Sequence, residues 1–451
     1  MASSVQSAHM EFAAWVGSDH LSDDPAVCRA AAVDGKAPAL VVYPSTAEEV
    51  AGILRIAATA GLAVIPFRNR TQLDIGNPPE RYDVGLSLKE MNNVWHYEPS
   101  DLTISVEPGM KLGDLQYLAA QDHLWLPLDP PGGVKASVGG MLATNATGPL
   151  GHGYGSPRDM VLGMKIATTE GKIIKTGGRV VKNVAGYDLA KLLLGSYGTL
   201  GVIVEANLKL YPLPRQRATY VLRAKSLGMA RELRRRILAT PLPFLRFLLV
   251  NPAGARWLRQ GTPLAVESTK PEIWMEAGGS ERVLERTQKS LEDLCREAGV
   301  SVETCGGAEA ESVWNHASEF RHAVVEAQPG TVVVRASLPI AACEEFLSAA
   351  QQEAESAQAE FAALGSPGVG TVHAAISGFR DLGEAGSTIR RLRESAKQLG
   401  GALVVERCPV ELKAALDVWG DPGDDFDLMR KIKAAWDPQR ILAPGRMIGR
   451  I

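Results

Sequence analysis

Residues 131–214 contain the pattern in this chain that bears most directly on chemistry. Glycines and other small residues recur along the stretch and alternate with short runs of valine and isoleucine. Glycine lacks a Cβ atom and adopts left-handed conformations, so it is favoured where backbone passes close to a ligand. Short apolar runs bounded by glycine indicate strands joined by loops. The stretch therefore predicts a large ligand that several loops bind together.

Fragments of this stretch resemble, in order and spacing, the flavin-binding domain of the vanillyl-alcohol oxidase (PCMH-type) flavoproteins, and most closely the E subunits of bacterial glycolate oxidases. The fragments are 138–140, 143–148, 154–155 with 158–159, 181–188 and 195–203. The resemblance covers about residues 36–215 and returns near the C-terminus. Its closing motifs are 405–409, Lys413, 417–420, 436–438 and 444–445.

The resemblance implies an α+β fold with a two-subdomain PCMH-type FAD-binding domain and an α+β cap domain built on an antiparallel sheet. We expect the FAD-binding domain at residues 36–215 and the cap or substrate domain at 216–406. Residues 407–451 are expected to return to the flavin domain. A length of 451 residues agrees with more than one hydrophobic core.

Local patterns predict the elements of both domains. Thr46 and Glu49 form a capping-box pattern before a helix that stops at Gly61, and a strand over 62–66 follows. Past Pro214 the pattern alternates between helices and strands. The predicted helices are 280–298 and 341–363, and the strands are 331–335, 371–376 and 401–406. Residues 229–250 indicate a helix with a solvated arginine face and then a buried strand; an interfacial helix is the less favoured alternative.

The loop expected to bind the FAD pyrophosphate departs from the family pattern. In the family a glycine-rich loop precedes Gly-Asn-Pro-Pro, whereas here residues 66–71, which precede 76–79, contain no glycine. Asn69 tolerates left-handed backbone, and Arg68 and Arg70 carry charge-assisted donors for phosphate. The favoured hypothesis is that arginine replaces part of the backbone cradle. The alternative is a cofactor-free structural or assembly subunit.

By resemblance, the residues after Ala136 divide by role. Ser137, Gly140, Asn145, Thr147 and Gly148 are expected at the pyrophosphate and ribityl chain, and backbone at Gly201, Val202 and Ile203 at the adenine or isoalloxazine edge. Arg158, with Asp159, is expected to support the flavin loop. Three roles stay open for four polar residues, namely a ligand contact, helix capping and a contact between domains: Lys182, Asn183, Tyr187 and Asp188. The predicted cofactor-binding residues are Arg68, Asn69, Arg70, Thr71, Ser137, Gly140, Asn145, Thr147, Gly148, Arg158, Gly201, Val202 and Ile203.

The FAD is expected to be noncovalent, since residues 66–76 contain no histidine or cysteine. No catalytic residue and no metal site is identified. The segment that matches the metal-binding segment of the catalytic relatives keeps a single histidine, His373, which we interpret as a core residue. Candidates for binding a carboxylate are Arg321 with His322, Arg335 and Arg407, but the sequence does not show that they converge.

Composition limits the remaining function classes. A net charge of -3 gives no indication of nucleic-acid binding. Five scattered cysteines, without a CxxC pair, fit the cytoplasm, with a peripheral place at the inner membrane as an option. No signal peptide or membrane-length apolar run is recognised. The resemblance implies an FAD-dependent oxidoreductase that acts on small 2-hydroxy acids such as glycolate, in a complex with a sister flavoprotein subunit and an iron-sulfur subunit.

Overall fold

The computed structural model describes residues 2–179, 188–260 and 269–451. Its first part forms a four-stranded sheet with three helices. The elements are α1 (Ala2–Val16), β1 (Leu21–Ser22), α2 (Pro25–Ala30), β2 (Leu40–Val42), α3 (Ala47–Ala60), β3 (Val64–Phe67) and β4 (Val84–Ser87). The strand order is β1-β2-β4-β3, in which β2, β4 and β3 are parallel and β1 is antiparallel.

Helix α3 shows how the local sequence produces these elements. Thr46 Oγ1 accepts a hydrogen bond from the Glu49 backbone N–H at 3.1 Å, and Gly61 ends the helix in a left-handed conformation with φ +65°. The Glu49 carboxylate accepts a hydrogen bond from the Ser45 N–H at 2.7 Å. In the predicted capping box the donor would be the Thr46 N–H, so this second hydrogen bond of the box comes from the preceding residue. The apolar face at helical spacing is buried against the sheet, as predicted.

The second part forms a five-stranded antiparallel sheet with short helices at its ends. Its elements are β5 (Val94–Glu98), β6 (Thr103–Val106), α4 (Leu112–Ala120), β7 (Leu124–Trp125), α5 (Val138–Thr144), α6 (Gly151–Tyr154), α7 (Pro157–Met160), β8 (Val161–Ala167), β9 (Ile173–Gly177), α8 (Ala190–Leu193), β10 (Val202–Lys209) and β11 (Tyr211–Pro212). The order is β5-β6-β10-β8-β9, and β7 pairs separately with β11.

Residues 216–260 and 269–407 form an eight-stranded antiparallel sheet covered by helices. The elements are β12 (Gln216–Arg223), α9 (Leu227–Leu238), β13 (Phe244–Val250), α10 (Pro252–Arg259), β14 (Glu272–Gly279), α11 (Glu281–Ala298), β15 (Val302–Cys305), α12 (Gly307–Ala327), β16 (Val332–Ser337), α13 (Cys343–Ser356), β17 (Glu360–Ser366), β18 (Thr371–Ser377), α14 (Leu382–Gln398) and β19 (Ala402–Arg407). The strand order is β15-β12-β14-β13-β17-β18-β16-β19.

One predicted helix is wrong in its last third. The pattern over 341–363 indicated a single helix, but α13 ends at Ser356 and residues 360–366 form β17. Gln358 adopts φ +52° and breaks the helix, and the small residues of β17 are buried between β13 and β18. Residues 229–250 form α9 followed by the buried strand β13, which agrees with the favoured interpretation of that segment.

The last stretch contains α15 (Val410–Ala415) and α16 (Phe426–Trp436), and its end packs on the first sheet. Leu442 forms a parallel bridge with Val64, and the buried Asp437 carboxylate accepts from the Ile441 and Leu442 N–H groups at 3.0 and 2.9 Å. The predicted α+β architecture with an antiparallel cap is confirmed. We propose domain boundaries at residues 36–215, 216–406 and 407–451. No described helix is long and apolar enough to cross a lipid bilayer.

Candidate active site

A long cleft, which we call the main cleft, runs between the first two sheets. It holds about 860 Å³ of space, part of which is open solvent. Its walls come from the loop after β3, the start of α5, the start of β10 and Arg446 near the C-terminus. The structure brings nine of the predicted cofactor-binding residues to this cleft: Arg68, Asn69, Arg70, Thr71, Ser137, Gly140, Gly201, Val202 and Ile203.

The glycine-free loop after β3 keeps a left-handed position, and Arg70 occupies it. Arg70 has φ +59°, whereas the sequence favoured Asn69 for this conformation. Arg68 Nε donates to the Gly109 carbonyl at 3.1 Å, and its guanidinium also contacts the Asn69 side chain. Burial lowers the pKa of Arg68 from its ordinary value, although the nearby Asp114 opposes this. The loop is therefore fixed by its own side chains while both arginines face the cleft.

Helix α5 presents its N-terminus to the cleft, and its two glycines have different surroundings. Ser137 caps the helix by accepting from the Gly140 N–H at 3.3 Å. A Cβ atom on Gly139 would lie 2.6 Å from Pro108 Cβ, so that glycine is required for packing. A Cβ atom on Gly140 would meet protein only at Ser137 Oγ, 3.1 Å away, and would otherwise extend toward the cleft. Gly140 leaves space that a ligand can fill.

Arg446 is a cleft residue that the sequence analysis missed, although it directly follows the recognised Pro444-Gly445. It is 3% exposed, and its Nη2 group donates to the Leu73 carbonyl at 2.6 Å and to the Ile75 carbonyl. Its Nη1 group is buried without a hydrogen-bond partner among the described residues. Burial lowers the pKa of Arg446, although Asp34 and Asp74 oppose the shift.

A second cavity, which we call the arginine pocket, adjoins the main cleft and holds about 980 Å³ of space, part of which is open solvent. Gln72, Thr144 and Tyr197 line both cavities. The cap domain contributes a charged group to the far wall of the pocket: Arg321, Arg335, His373 and Glu406. Two of the proposed carboxylate-binding arginines, Arg321 and Arg335, therefore converge after all.

Strand register explains why these four side chains meet. Arg335 of β16 lies directly opposite His373 of β18. On the other side of β16, Val334 pairs with Val405 and Val333 pairs with Arg407, so Glu406 is the extra residue of a β-bulge. A bulge redirects a side chain, and here it is Glu406 that reaches the pocket. Arg321 comes from α12, which lies across the same face of the sheet.

The contacts in the pocket favour an anionic ligand. Arg321 Nη1 donates to both Glu406 carboxylate oxygens at 3.0 and 3.1 Å, and Arg335 Nε donates to Oε1 at 3.1 Å. Burial alone would raise the pKa of Glu406, but Arg321 and Arg335 outweigh it and hold that pKa well below its ordinary value. Burial, with Arg321, lowers the pKa of His373 to about 4, so the imidazole is neutral. Two cations and one anion leave one net positive charge.

The other predicted residues lie elsewhere. Asn145 and Thr147 line the arginine pocket, and Thr147 and Gly148 line a neighbouring cavity that also reaches Arg321. Arg158 is exposed outside these cavities; its backbone N–H donates to Asn145 Oδ1 at 3.3 Å. Lys182, Asn183 and Tyr187 lie outside the described residues. Asp188, which is described, forms an exposed ion pair with Lys191 at 3.0 Å.

His373 and Arg407 also differ from the sequence interpretation. His373 lies at the pocket wall, with its Nδ1 atom 3.5 Å from Glu406, rather than in an apolar core. Arg407 points away from the pocket and ties the cap to the loop after β3, where its Nη2 group donates to the Thr71 carbonyl at 3.1 Å and its Nη1 group contacts Asp74. Within the described ranges, no three His, Cys, Asp or Glu side chains are grouped as a metal site.

Comparison with known proteins agrees with this arrangement. A family model described as an FAD binding domain matches residues 38–177, and one described as the C-terminal domain of FAD linked oxidases matches residues 213–447. The glycolate oxidase subunit GlcD of Bacillus subtilis is 28% identical over 431 residues, which cover 92% of this chain and 89% of that protein. A D-lactate dehydrogenase of Archaeoglobus fulgidus is 28% identical, with coverage of 91% and 92%. The solved structure of p-cresol methylhydroxylase with substrate bound has a TM-score of 0.77 at 17% identity and covers 99% of this chain and 97% of that one.

The fold is that of a PCMH-type flavoprotein. The chain belongs to the FAD-linked oxidases and is an FAD-linked oxidoreductase of the glycolate oxidase and D-lactate dehydrogenase type. Its cofactor is FAD, and the main cleft fits this dianionic ligand, because Arg446 Nη1 is an orphaned buried donor there and Gly140 leaves room for a ligand.

Proposed function

We propose that the main cleft holds FAD noncovalently and that the residues brought to it are its ligands. Arg68, Asn69, Arg70 and Thr71 would hold the pyrophosphate, together with the capped N-terminus of α5. Backbone at Gly201, Val202 and Ile203 would pack on a ring edge. Support comes from the shared walls of one cleft and from Arg446, whose free donor needs an acceptor.

We propose that the arginine pocket binds the carboxylate of a small 2-hydroxy acid. The observation that carries this proposal is the convergence of Arg321 and Arg335 on Glu406 next to the main cleft. Glu406 orients both guanidinium groups but neutralises only one charge. Arg335 uses Nε for Glu406 and Nη1 for Ser337, and within the described chain its Nη2 group has no hydrogen-bond partner. A carboxylate is the anion whose geometry matches such a donor.

The pocket also contains a side chain that can accept a proton. Bound FAD supplies the acceptor for the hydride that leaves the carbon bearing the hydroxyl group. The hydroxyl proton must then pass to the protein or to water, and the neutral His373 imidazole at the pocket wall is a base that can receive it. Charge on His373 would be stabilised by the adjacent Glu406 carboxylate.

We propose that the chain works as a subunit, most closely of the glycolate oxidase E type, with a sister flavoprotein subunit and an iron-sulfur subunit. Support comes from the likeness to GlcD, which is itself named a subunit. In this arrangement the chain takes up electrons from substrate or relays them through its FAD. We also propose a cytoplasmic location, including a peripheral place at the inner membrane, which agrees with its five free cysteines.

The proposed reaction can be tested by a single-turnover experiment. FAD-loaded protein is mixed without oxygen with glycolate, D-lactate or acetate, and the visible flavin band is followed. We expect glycolate or D-lactate, but not acetate, to bleach the band. The Arg335→Met variant should keep its FAD and bleach at least about tenfold more slowly at low substrate, because a charge-assisted hydrogen bond is lost. A flavin band that no 2-hydroxy acid bleaches would contradict the reaction, and a protein that binds no FAD would support the cofactor-free alternative.

A further inference from the structure

Tyr197 stands at the junction of the two cavities, and none of the roles assigned above uses it. It lines both the main cleft and the arginine pocket. Its ring packs edge-to-face on Trp419, with ring centroids 4.8 Å apart. Its hydroxyl forms no hydrogen bond with any residue in the described part of the chain. A phenol at such a position is available to a ligand.

The backbone at Tyr197 is held in an unusual conformation. Its φ of +54° lies in the left-handed region, which L residues with a Cβ atom rarely adopt. The Tyr197 N–H donates to the Ala143 carbonyl at 2.8 Å, and Gly195 and Gly198, at φ +78° and +72°, allow the turn on either side. Strained residues cluster at ligand sites, and here the strain directs a tyrosine into the passage between the cavities.

Burial keeps the phenol protonated and able to donate. Burial raises the pKa of Tyr197 to about 12, although Arg335 opposes the shift, with Glu406 and Arg321 also acting on it. These electrostatic neighbours are the groups of the arginine pocket. Tyr197 itself lines both that pocket and the main cleft.

We propose that the Tyr197 hydroxyl donates a hydrogen bond to the oxygen on the second carbon of a bound 2-hydroxy acid and so distinguishes such acids from simple carboxylates. This inference rests on the proposed carboxylate site in the arginine pocket. With the carboxylate at Arg321 and Arg335, the second carbon would point toward the main cleft. Of the two hydroxyl-bearing side chains that line both cavities, Thr144 donates its hydroxyl to the Gly140 carbonyl at 2.8 Å, whereas the Tyr197 hydroxyl has no partner among the described residues.

The test uses FAD-loaded protein and two unreactive probes. Oxalate carries oxygens on both carbons, whereas acetate has only the carboxylate. Binding of each is measured by calorimetric titration for the parent and for Tyr197→Phe, which keeps the ring against Trp419. The matched control is Tyr154→Phe, since the Tyr154 ring packs between Trp125 and Tyr211 away from both cavities.

We expect Tyr197→Phe to weaken oxalate binding about tenfold, to leave acetate binding unchanged and to retain its FAD, while Tyr154→Phe matches the parent. Unchanged oxalate affinity would overturn the inference, and so would an equal loss for acetate, because the hydroxyl would then serve the carboxylate. Loss of FAD would also overturn it, since the hydroxyl would be needed by the cofactor or the fold. If the parent itself binds no oxalate, the proposed carboxylate site fails instead.

Discussion

Arg68 and Arg70 lie in the same loop but have different contacts. Arg68 is tied to the Gly109 carbonyl and to Asn69, so it fixes the loop as well as facing the cleft. Arg70 is exposed, and within the described chain its side chain forms no hydrogen bond or ion pair. The two arginines therefore compensate for the absent glycines in different ways. Arg68 supports the loop and Arg70 remains available to a phosphate.

We expect Arg68→Ala/Arg70→Ala to bind FAD at least about tenfold more weakly, because each charge-assisted hydrogen bond contributes about 1.5–3 kcal/mol. The remaining affinity should also depend less on salt, since fewer charges are left to screen. The dissociation constant is measured by quenching of FAD fluorescence at two salt concentrations. Arg231→Ala/Arg235→Ala on the exposed face of α9 is the control. An equal dissociation constant for the loop variant and the parent would sink this assignment.

Gly140 gives a second test at the residue scale. A valine there should abolish FAD binding, because its side chain would extend into the main cleft with little protein in its path. The cap has its own core and should remain folded, which circular dichroism and thermal unfolding can check. Gly228→Val, at an exposed position of α9, serves as the control. Full FAD occupancy in Gly140→Val would show that the start of α5 does not face the cofactor.

At the scale of elements, α12 connects the cap to both sides of the main cleft. Glu319 accepts a hydrogen bond from the Gly132 N–H at 3.2 Å, and Arg321 Nη2 donates to the Thr147 carbonyl at 3.0 Å. His322 Nε2 lies 2.8 Å from the Thr71 carbonyl. A single turn of this helix thus contacts three loops of the flavin domain. These contacts hold the cap over the cleft.

We expect Glu319→Ala to release FAD several-fold faster, because it removes the partner of the Gly132 N–H and of His322 Nδ1. The rate is measured by trapping released FAD with an excess of a flavin-binding apoprotein. Glu326→Ala, at the exposed end of the same helix, is the control. If both variants release FAD at the rate of the parent, the cap contacts do not retain the cofactor.

The elements also show where sequence was informative. The cap and stop of α3 and the strand after it followed from local patterns, because these signals lie within a few residues of one another, and the antiparallel cap followed from the family resemblance. The convergence of Arg321, Arg335 and Glu406 could not be predicted, since it depends on the strand order β18-β16-β19 and on a bulge. Arg446 was missed because the recognised motif ends at Gly445, and nothing in it indicates that the next side chain is buried at the cleft.

At the scale of the whole molecule, the site is assembled from distant parts of the chain. The loop after β3, the start of α5, the cap strands and the final segment all contribute walls. Lys433 Nζ shows how the end is fixed, since it donates to the Thr199 carbonyl at 2.8 Å and to Asp437 at 2.7 Å beside the first sheet. Unfolding any of these parts should open the cleft.

Noncovalent attachment predicts that acid precipitation frees the FAD completely. The loop at residues 66–76 offers no histidine or cysteine, so opening of the cleft leaves no bond to the cofactor. Supernatant and pellet are compared for flavin fluorescence, with the FAD content before precipitation as the reference. Fluorescence that stays with the precipitated polypeptide after washing would contradict noncovalent binding.

The central claim is that the main cleft and the arginine pocket are the cofactor and substrate halves of one active site. A crystal structure of the protein grown with FAD and oxalate tests it most directly. We predict FAD along the main cleft, with its pyrophosphate at residues 68–71, and oxalate between Arg321 and Arg335. FAD bound outside the main cleft, or oxalate bound away from these two arginines while FAD is in place, would contradict the account.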